Sequence, residues 1–239
     1  MSVPDHAAAF QNVIDQLAGL YDPAPRGEEI EPIRQLVYSF LLWDSVTNRA
    51  DNAFKRLEET YVDMNDLRVS RTEEVMAVLG KTYPRADERV ARIKASLRDV
   101  YLREHAVSLS SVASGGKREA KKYLDSLDGM HQFVAARVSL LALDSHAIPL
   151  EERVFAKLIK AEVFEPDTPI EKAVGSIERH VKATDGLQTY LLLQAWSEDN
   201  ASDGSEFAGS AAKPKKKATS GKSTASKANG SRKKKSAKS

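Results

Sequence analysis

Tyr123-Leu124-Asp125-Ser126-Leu127-Asp128-Gly129-Met130-His131-Gln132-Phe133-Val134-Ala135-Ala136 is the stretch on which the fold reading turns. It reads helix, tight turn, helix. Gly129 tolerates a positive φ, so the backbone can reverse there. The second helix then opens with amides that have no partner inside the helix, and such amides hold a phosphate oxygen well. Gly129, Met130, His131 and Gln132 are therefore candidate DNA contacts. Lys117, Arg118, Lys121 and Lys122 on the first helix are further candidates, against the plainer reading of a solvated polar face. The pattern alone also fits an ordinary helix connection.

Outward from this hairpin the apolar period stays helical. Phe10, Val13, Ile14, Leu17 and Leu20 make one stripe, and Ile33, Leu36, Val37, Phe40 and Leu41 a second that begins at Pro32. Ala50, Ala53, Phe54 and Leu57 make a third. Ser70-Arg71-Thr72-Glu73 reads as a capping box opening a short helix that Gly80 stops. Val90, Ile93, Leu97 and Val100 mark a longer helix, and Ser114-Gly115-Gly116 a loop. Helices are expected over Lys117–Leu127, His131–Leu143, Glu151–Val163 and Leu187–Trp196, with a further apolar stripe at Ile170, Val174, Ile177 and Val181. No segment alternates like a strand and no repeat is evident.

Charge divides the chain. From Ala211 to Ser239 there are 11 lysines and arginines and no acid, whereas the preceding 210 residues hold 25 basic and 34 acidic residues. A lysine segment built from Ala, Ser, Gly, Thr and Pro has almost nothing to bury, which predicts disorder. Its bursts, Lys215-Lys216-Lys217 and Lys233-Lys234-Lys235, suit DNA phosphates without sequence preference. A solubility spacer is the bland alternative. Aromatics are absent there, so stacking on bases is excluded, and no apolar anchor accompanies the lysines toward a membrane.

Composition removes other classes. With no cysteine there is no disulfide, thiol nucleophile, zinc–thiolate site or cysteine-held iron–sulfur cluster. Histidines 6, 105, 131, 146 and 180 lack ligand spacing, so no metal and no cofactor is expected. No apolar run reaches membrane length and Met1–His6 does not open a secretory signal, which points to a cytoplasmic, nucleoid-associated protein.

Three stretches, taken together, resemble the helix-hairpin-helix DNA glycosylase superfamily, endonuclease III-like members in particular. Residues Phe40 to Leu57 look like the family's early helix pair, Leu79 to Val90 like a later helix entry, and Leu127-Asp128-Gly129-Met130-His131 takes the place of its hairpin. The resemblance covers roughly residues 30–196. It implies an all-α, two-lobed DNA-binding domain of base-excision repair. His131 stands where the family has a second glycine, and Phe133 where lyases carry a lysine, so no Schiff base can form. The family's catalytic carboxylate corresponds to Glu151, after Pro149-Leu150, and its gap-filling glutamine to Asp44. The family's C-terminal cysteine loop is missing.

Each position has a structural alternative. Glu151 suits a helix N-terminus by its charge alone, Asp44 suits a helix cap, His131 a solvated helix start, and Trp43 and Trp196 a core. The organisation expected is an N-terminal helix and linker over 1–29, a glycosylase-like domain over 30–196, an acidic linker over 197–210 and a basic tail over 211–239. DNA binding is the expected function, with monofunctional base removal through Glu151 left open and lyase chemistry disfavoured. A non-catalytic nucleoid-associated protein and a protein–protein module are the alternatives.

Overall fold

The computed structural model describes residues 6–23 and 31–208, and every regular element within them is helical. Helix α1 spans His6–Leu20, α2 Pro32–Leu42, α3 Thr47–Thr60, α4 Met64–Val69, α5 Thr72–Leu79 and α6 Ala86–Glu104. Then come α7 Ser110–Ala113, α8 Lys117–Asp125, α9 Gln132–Ala142, α10 Glu152–Lys160, α11 Ile170–His180 and α12 Gly186–Glu198. The fold is all-α, as the apolar periods require.

Two apolar cores define two lobes. The first is assembled from α2 to α9 and is built on Leu36, Phe40, Leu57, Ile93, Leu97, Leu124, Phe133 and Val138. The second joins Leu17 of α1, Leu158 of α10, Ile177 of α11 and Trp196 of α12. Helix α9 is buried nearly all round, from Phe133 to Leu140, and packs against α2, α8 and α12. That central position fixes the hairpin preceding it to both lobes.

Pro32 does occupy the first turn of α2, where its missing N–H costs nothing. The other end of α2 is closed by Arg89, whose guanidinium donates to the carbonyls of Phe40 and Leu41, the latter at 2.9 Å, while Tyr83 also donates to Leu41 O at 2.8 Å. A buried cation on carbonyls at a helix C-terminus is favoured by the helix dipole. Burial still lowers the Arg89 pKa to about 10.

Three expectations change. The capping box is shifted by one residue: Ser70 closes α4 by donating to Leu67 O, and Arg71 is the N-cap of α5, its amide donating to Glu74 at 3.0 Å. The N-terminal helix is not set apart from the domain, because Phe10, Val13 and Leu17 belong to the second core. Residues 199–208, read as linker, fold back on that core. Phe207 packs edge-on against Trp196 at 5.5 Å, the Trp196 indole donates to Ser202 at 2.5 Å, and Lys157 donates to Asp199 O at 2.8 Å. Gly204 adopts φ 97° there, and a Cβ would collide with the Lys157 carbonyl. The tail over 211–239, with Lys215, Lys216, Lys217, Lys233, Lys234 and Lys235, lies outside the described residues.

Candidate nucleic-acid interface and the seam between lobes

The hairpin is clamped by α6. Gly129 has φ 73°, and a Cβ on it would lie 3.0 Å from both the Ala95 Cβ and the Arg92 carbonyl oxygen. Glycine is thus required by conformation and by packing. Ser96 donates to Asp128 O at 2.8 Å and Arg92 to Gly129 O at 3.1 Å. The Asp128 amide donates to the Asp99 carboxylate at 2.9 Å, and Arg103 joins Asp99 to Ser126.

The amides meant for a ligand are only partly free. His131 is the N-cap of α9, and its Nδ1 accepts from the Phe133 amide at 3.3 Å. Among the described residues no acceptor takes the amides of His131 and Gln132. Gln132 is exposed and Met130 half-buried against the first core. Of the flanking cations, Lys117 pairs with Asp144 at 3.1 Å and Lys121 with Asp125 at 3.7 Å. Arg118 and Lys122 are exposed with no acid within ion-pair distance among the described residues, so they carry the hairpin's uncompensated charge.

His131 is not a solvated helix start. Its ring stacks on Trp43 with centroids 4.2 Å apart, and its Nε2 lies 3.5 Å from Glu152. That hydrogen bond holds the Glu152 carboxyl down at about 2. Trp43, 1% exposed, also meets Arg85, Arg92 and Arg89 at 4.7, 5.5 and 5.7 Å from its ring centre. Cations over an indole face are attracted to its negative quadrupole.

Two of the positions that the resemblance ties to chemistry, Glu151 and Asp44, meet where the lobes touch, whereas the third lies elsewhere. Phe133 is 1% exposed inside the first core. Glu151 is 2% exposed; one oxygen pairs with Arg153 at 2.6 Å and the other accepts from the Asp44 amide at 3.2 Å. Burial raises the Glu151 carboxyl above the usual range, and Arg153 pulls it back. Although Glu151 is the N-cap residue of α10, its side chain makes no capping bond, so helix capping does not explain it. Asp44 is not a helix cap either. It sits in a turn at φ 50° with its carboxylate 4.0 Å from Arg85, and Val46 is the N-cap of α3. Further bolts cross the seam: Arg153 donates to Ser45 O, and Glu198 of α12 accepts from the Thr47 amide at 3.0 Å. Arg137, buried on α9, donates to Tyr190 at 2.6 Å and Ser39 at 2.9 Å. Sequence reasoning passed over Arg137, although a cation inside the apolar run Phe133–Leu140 is a usable signal.

No protein-family model and no curated protein matches this sequence. Solved structures do match in fold. A trapped endonuclease III–DNA covalent intermediate, an estranged-adenine complex, superposes with TM-score 0.65 at 14% identity, covering 82% of this chain and 86% of that one. The Clostridium acetobutylicum 8-oxoguanine glycosylase/lyase bound to double-stranded DNA with cytosine opposite 8-oxoG gives 0.64 at 13%, covering 82% and 71%. A thermostable thymine-DNA glycosylase gives 0.57 at 15%, covering 81% and 86%. The chain therefore has the all-helical fold of the helix-hairpin-helix DNA glycosylases. A cysteine-held cluster, which that resemblance brings with it, does not fit the residues here. Its thiolate donors are missing from the chain, and residues 199–208 after α12 pack instead through Phe207 and Ser202.

Proposed function

We propose that this protein binds duplex DNA through the hairpin face and its basic tail, and that it does so without excising a base. The single observation behind the second half is Glu151: buried, paired with Arg153 and bonded to the Asp44 amide. A carboxylate that stabilises a cationic sugar must face it, and this one faces its own chain. Phe133 offers no amine for the lyase route.

Phosphates would meet the amides of His131 and Gln132 and the side chains of Arg118 and Lys122, while the lysine bursts of residues 211–239 add affinity without sequence preference. A nucleoid-associated role in the cytoplasm suits such a binder. The second reading, a monofunctional glycosylase, is favoured by the raised Glu151 carboxyl, which suits proton transfer. The test is anisotropy binding to a short duplex across a salt series. Both the tail-deleted chain and the Arg118→Ala/Lys122→Ala pair should bind more weakly than the parent, with the larger loss and the flatter salt dependence in the tail-deleted chain. Equal affinities for all three would refute DNA binding through these groups.

A further inference from the structure

Between α3 and the segment that follows α5 lies a hollow of about 390 Å³. Its polar wall is Asn48, Arg49, Asn52 and Arg56 from α3, with Thr82 and Tyr83 from the segment beyond α5. No acid among the described residues lines it. Arg56 is anchored there: its Nε donates to Val78 O at 2.9 Å and its Nη2 to Leu79 O at 3.0 Å, carbonyls at the end of α5. Its Nη1 has no acceptor among the described residues. Arg49 is exposed, and its guanidinium makes no hydrogen bond, ion pair or ring contact among them. The Thr82 hydroxyl is equally without a partner there. Asn52 donates to the Asn48 side-chain oxygen at 2.8 Å, which leaves the Asn48 NH2 as a further donor.

The charges converge without compensation. Burial raises the Tyr83 hydroxyl above its usual range, and Arg89, Arg49 and Arg56 draw it down, so both hollow-lining guanidinium groups act on one phenol. The acids of α3 are engaged elsewhere: Asp51 accepts from the Tyr38 hydroxyl at 2.6 Å, Glu58 holds Arg34, and Glu59 pairs with Lys55 at 3.9 Å. Beside the start of α3, Glu198 takes Thr47 and Gln194, and Asp44 lies 4.0 Å from Arg85. On α5, Glu74 pairs with Arg71 at 2.6 Å. Two cations sharing a recess repel, the more so where water is thin. An anion with several acceptor oxygens removes that repulsion and satisfies the free donors together.

We propose that this hollow is an anion site for a phosphate group, gripped by the fork of Arg49 and by the fixed guanidinium of Arg56, with Asn48 and Thr82 as neutral donors. A guanidinium matches phosphate oxygens two at a time. The phosphate belongs to a duplex backbone or to a free ion, and the first source rests on the DNA-binding reading. The fold ties the hollow to the hairpin. Tyr83 and Arg89 both donate to Leu41 O, and Arg92, further along α6, donates to Gly129 O. A second phosphate contact in fixed relation to the hairpin sets the register of the protein on a duplex, which a tail of lysines does not.

The experiment uses the full chain in two arms. In the first, inorganic phosphate is titrated and followed by NMR. The backbone amides of Arg49 and Thr82 should shift saturably in the parent and not in Arg49→Ala. In the second, affinity for a short duplex is measured across a salt series. Arg49→Ala should bind about tenfold more weakly than the parent and lose about 0.9 from the log–log salt slope, the share of one phosphate. Lys55→Ala removes an equal charge from the same helix outside the hollow and should change neither. Equal thermal melts exclude misfolding. A phosphate shift with unchanged duplex affinity assigns the site to a free ion, and a duplex loss confined to Arg49→Ala assigns it to the backbone. No phosphate shift, together with equal duplex binding by Arg49→Ala and Lys55→Ala, would overturn the site. If the tail-deleted chain and Arg118→Ala/Lys122→Ala bind duplex like the parent, the hairpin-and-tail reading fails by itself, and the phosphate arm still decides the hollow.

Discussion

The carboxylate of Glu151 accepts a hydrogen bond from the backbone amide of Asp44 at 3.2 Å, across the seam between the two lobes. The second lobe presents the acid and the turn between α2 and α3 presents the amide. The contact ties together two positions that resemblance to glycosylases would assign to chemistry and to the gap in the duplex. In this chain they are bound to one another.

Glu151 makes stability depend on pH in a recognisable way. Burial is the first cause of its raised carboxyl. A raised folded pKa means its contribution is fully present below the unfolded value of 4.5 and is lost as pH rises through the folded value. Urea midpoints of parent minus Glu151→Gln should therefore decline across that window. A flat difference would contradict the burial argument.

Arg89 should be a strong point of failure. Arg89→Met leaves the carbonyls of Phe40 and Leu41 without this buried donor, at a cost of about 2–4 kcal/mol. Denaturant unfolding measures it. A loss below about 0.5 kcal/mol would show that the C-terminus of α2 finds other partners.

Gly129→Ala meets both a positive φ and the wall of α6 at Ala95 and Arg92. Its expected cost is about 1–3 kcal/mol. DNA affinity should fall with it, because the turn must move. Unchanged stability would mean the turn relaxes freely.

Phe207→Ala tests the fold-back of residues 199–208. Removing a buried ring from Trp196 should cost about 3 kcal/mol. A melting temperature equal to the parent's would restore the linker reading.

Much of this architecture was legible beforehand, and what escaped has physical causes. Pro32, Gly80 and Gly129 act at single backbone positions, so their sites could be read from one residue each. The stripes of α1, α2, α3 and α6 follow from burial on one face. Helices α4 and α7 bury only Leu67 and Val112, too little to make a period. Phe207 is one ring in a polar stretch, and its partner Trp196 is supplied by the fold. Arg89 and Arg137 lie inside because carbonyls and hydroxyls meet them there, which apolar patterns do not record. Glu151 stands immediately before α10 as its N-cap residue, where Pro149 lets the sequence predict a helix start, but its pairing with Arg153 and the Asp44 amide depends on the contact between lobes.

DNA binding without base excision is tested most directly by single-turnover base release. The full chain would be mixed with duplexes carrying a panel of damaged and mismatched bases, with binding recorded in the same samples. Every duplex should be bound and no base released, and borohydride should trap no adduct at abasic sites once the tail lysines are replaced. Release of a base by the parent, abolished in Glu151→Gln with binding retained, would contradict this account and make Glu151 a catalytic residue.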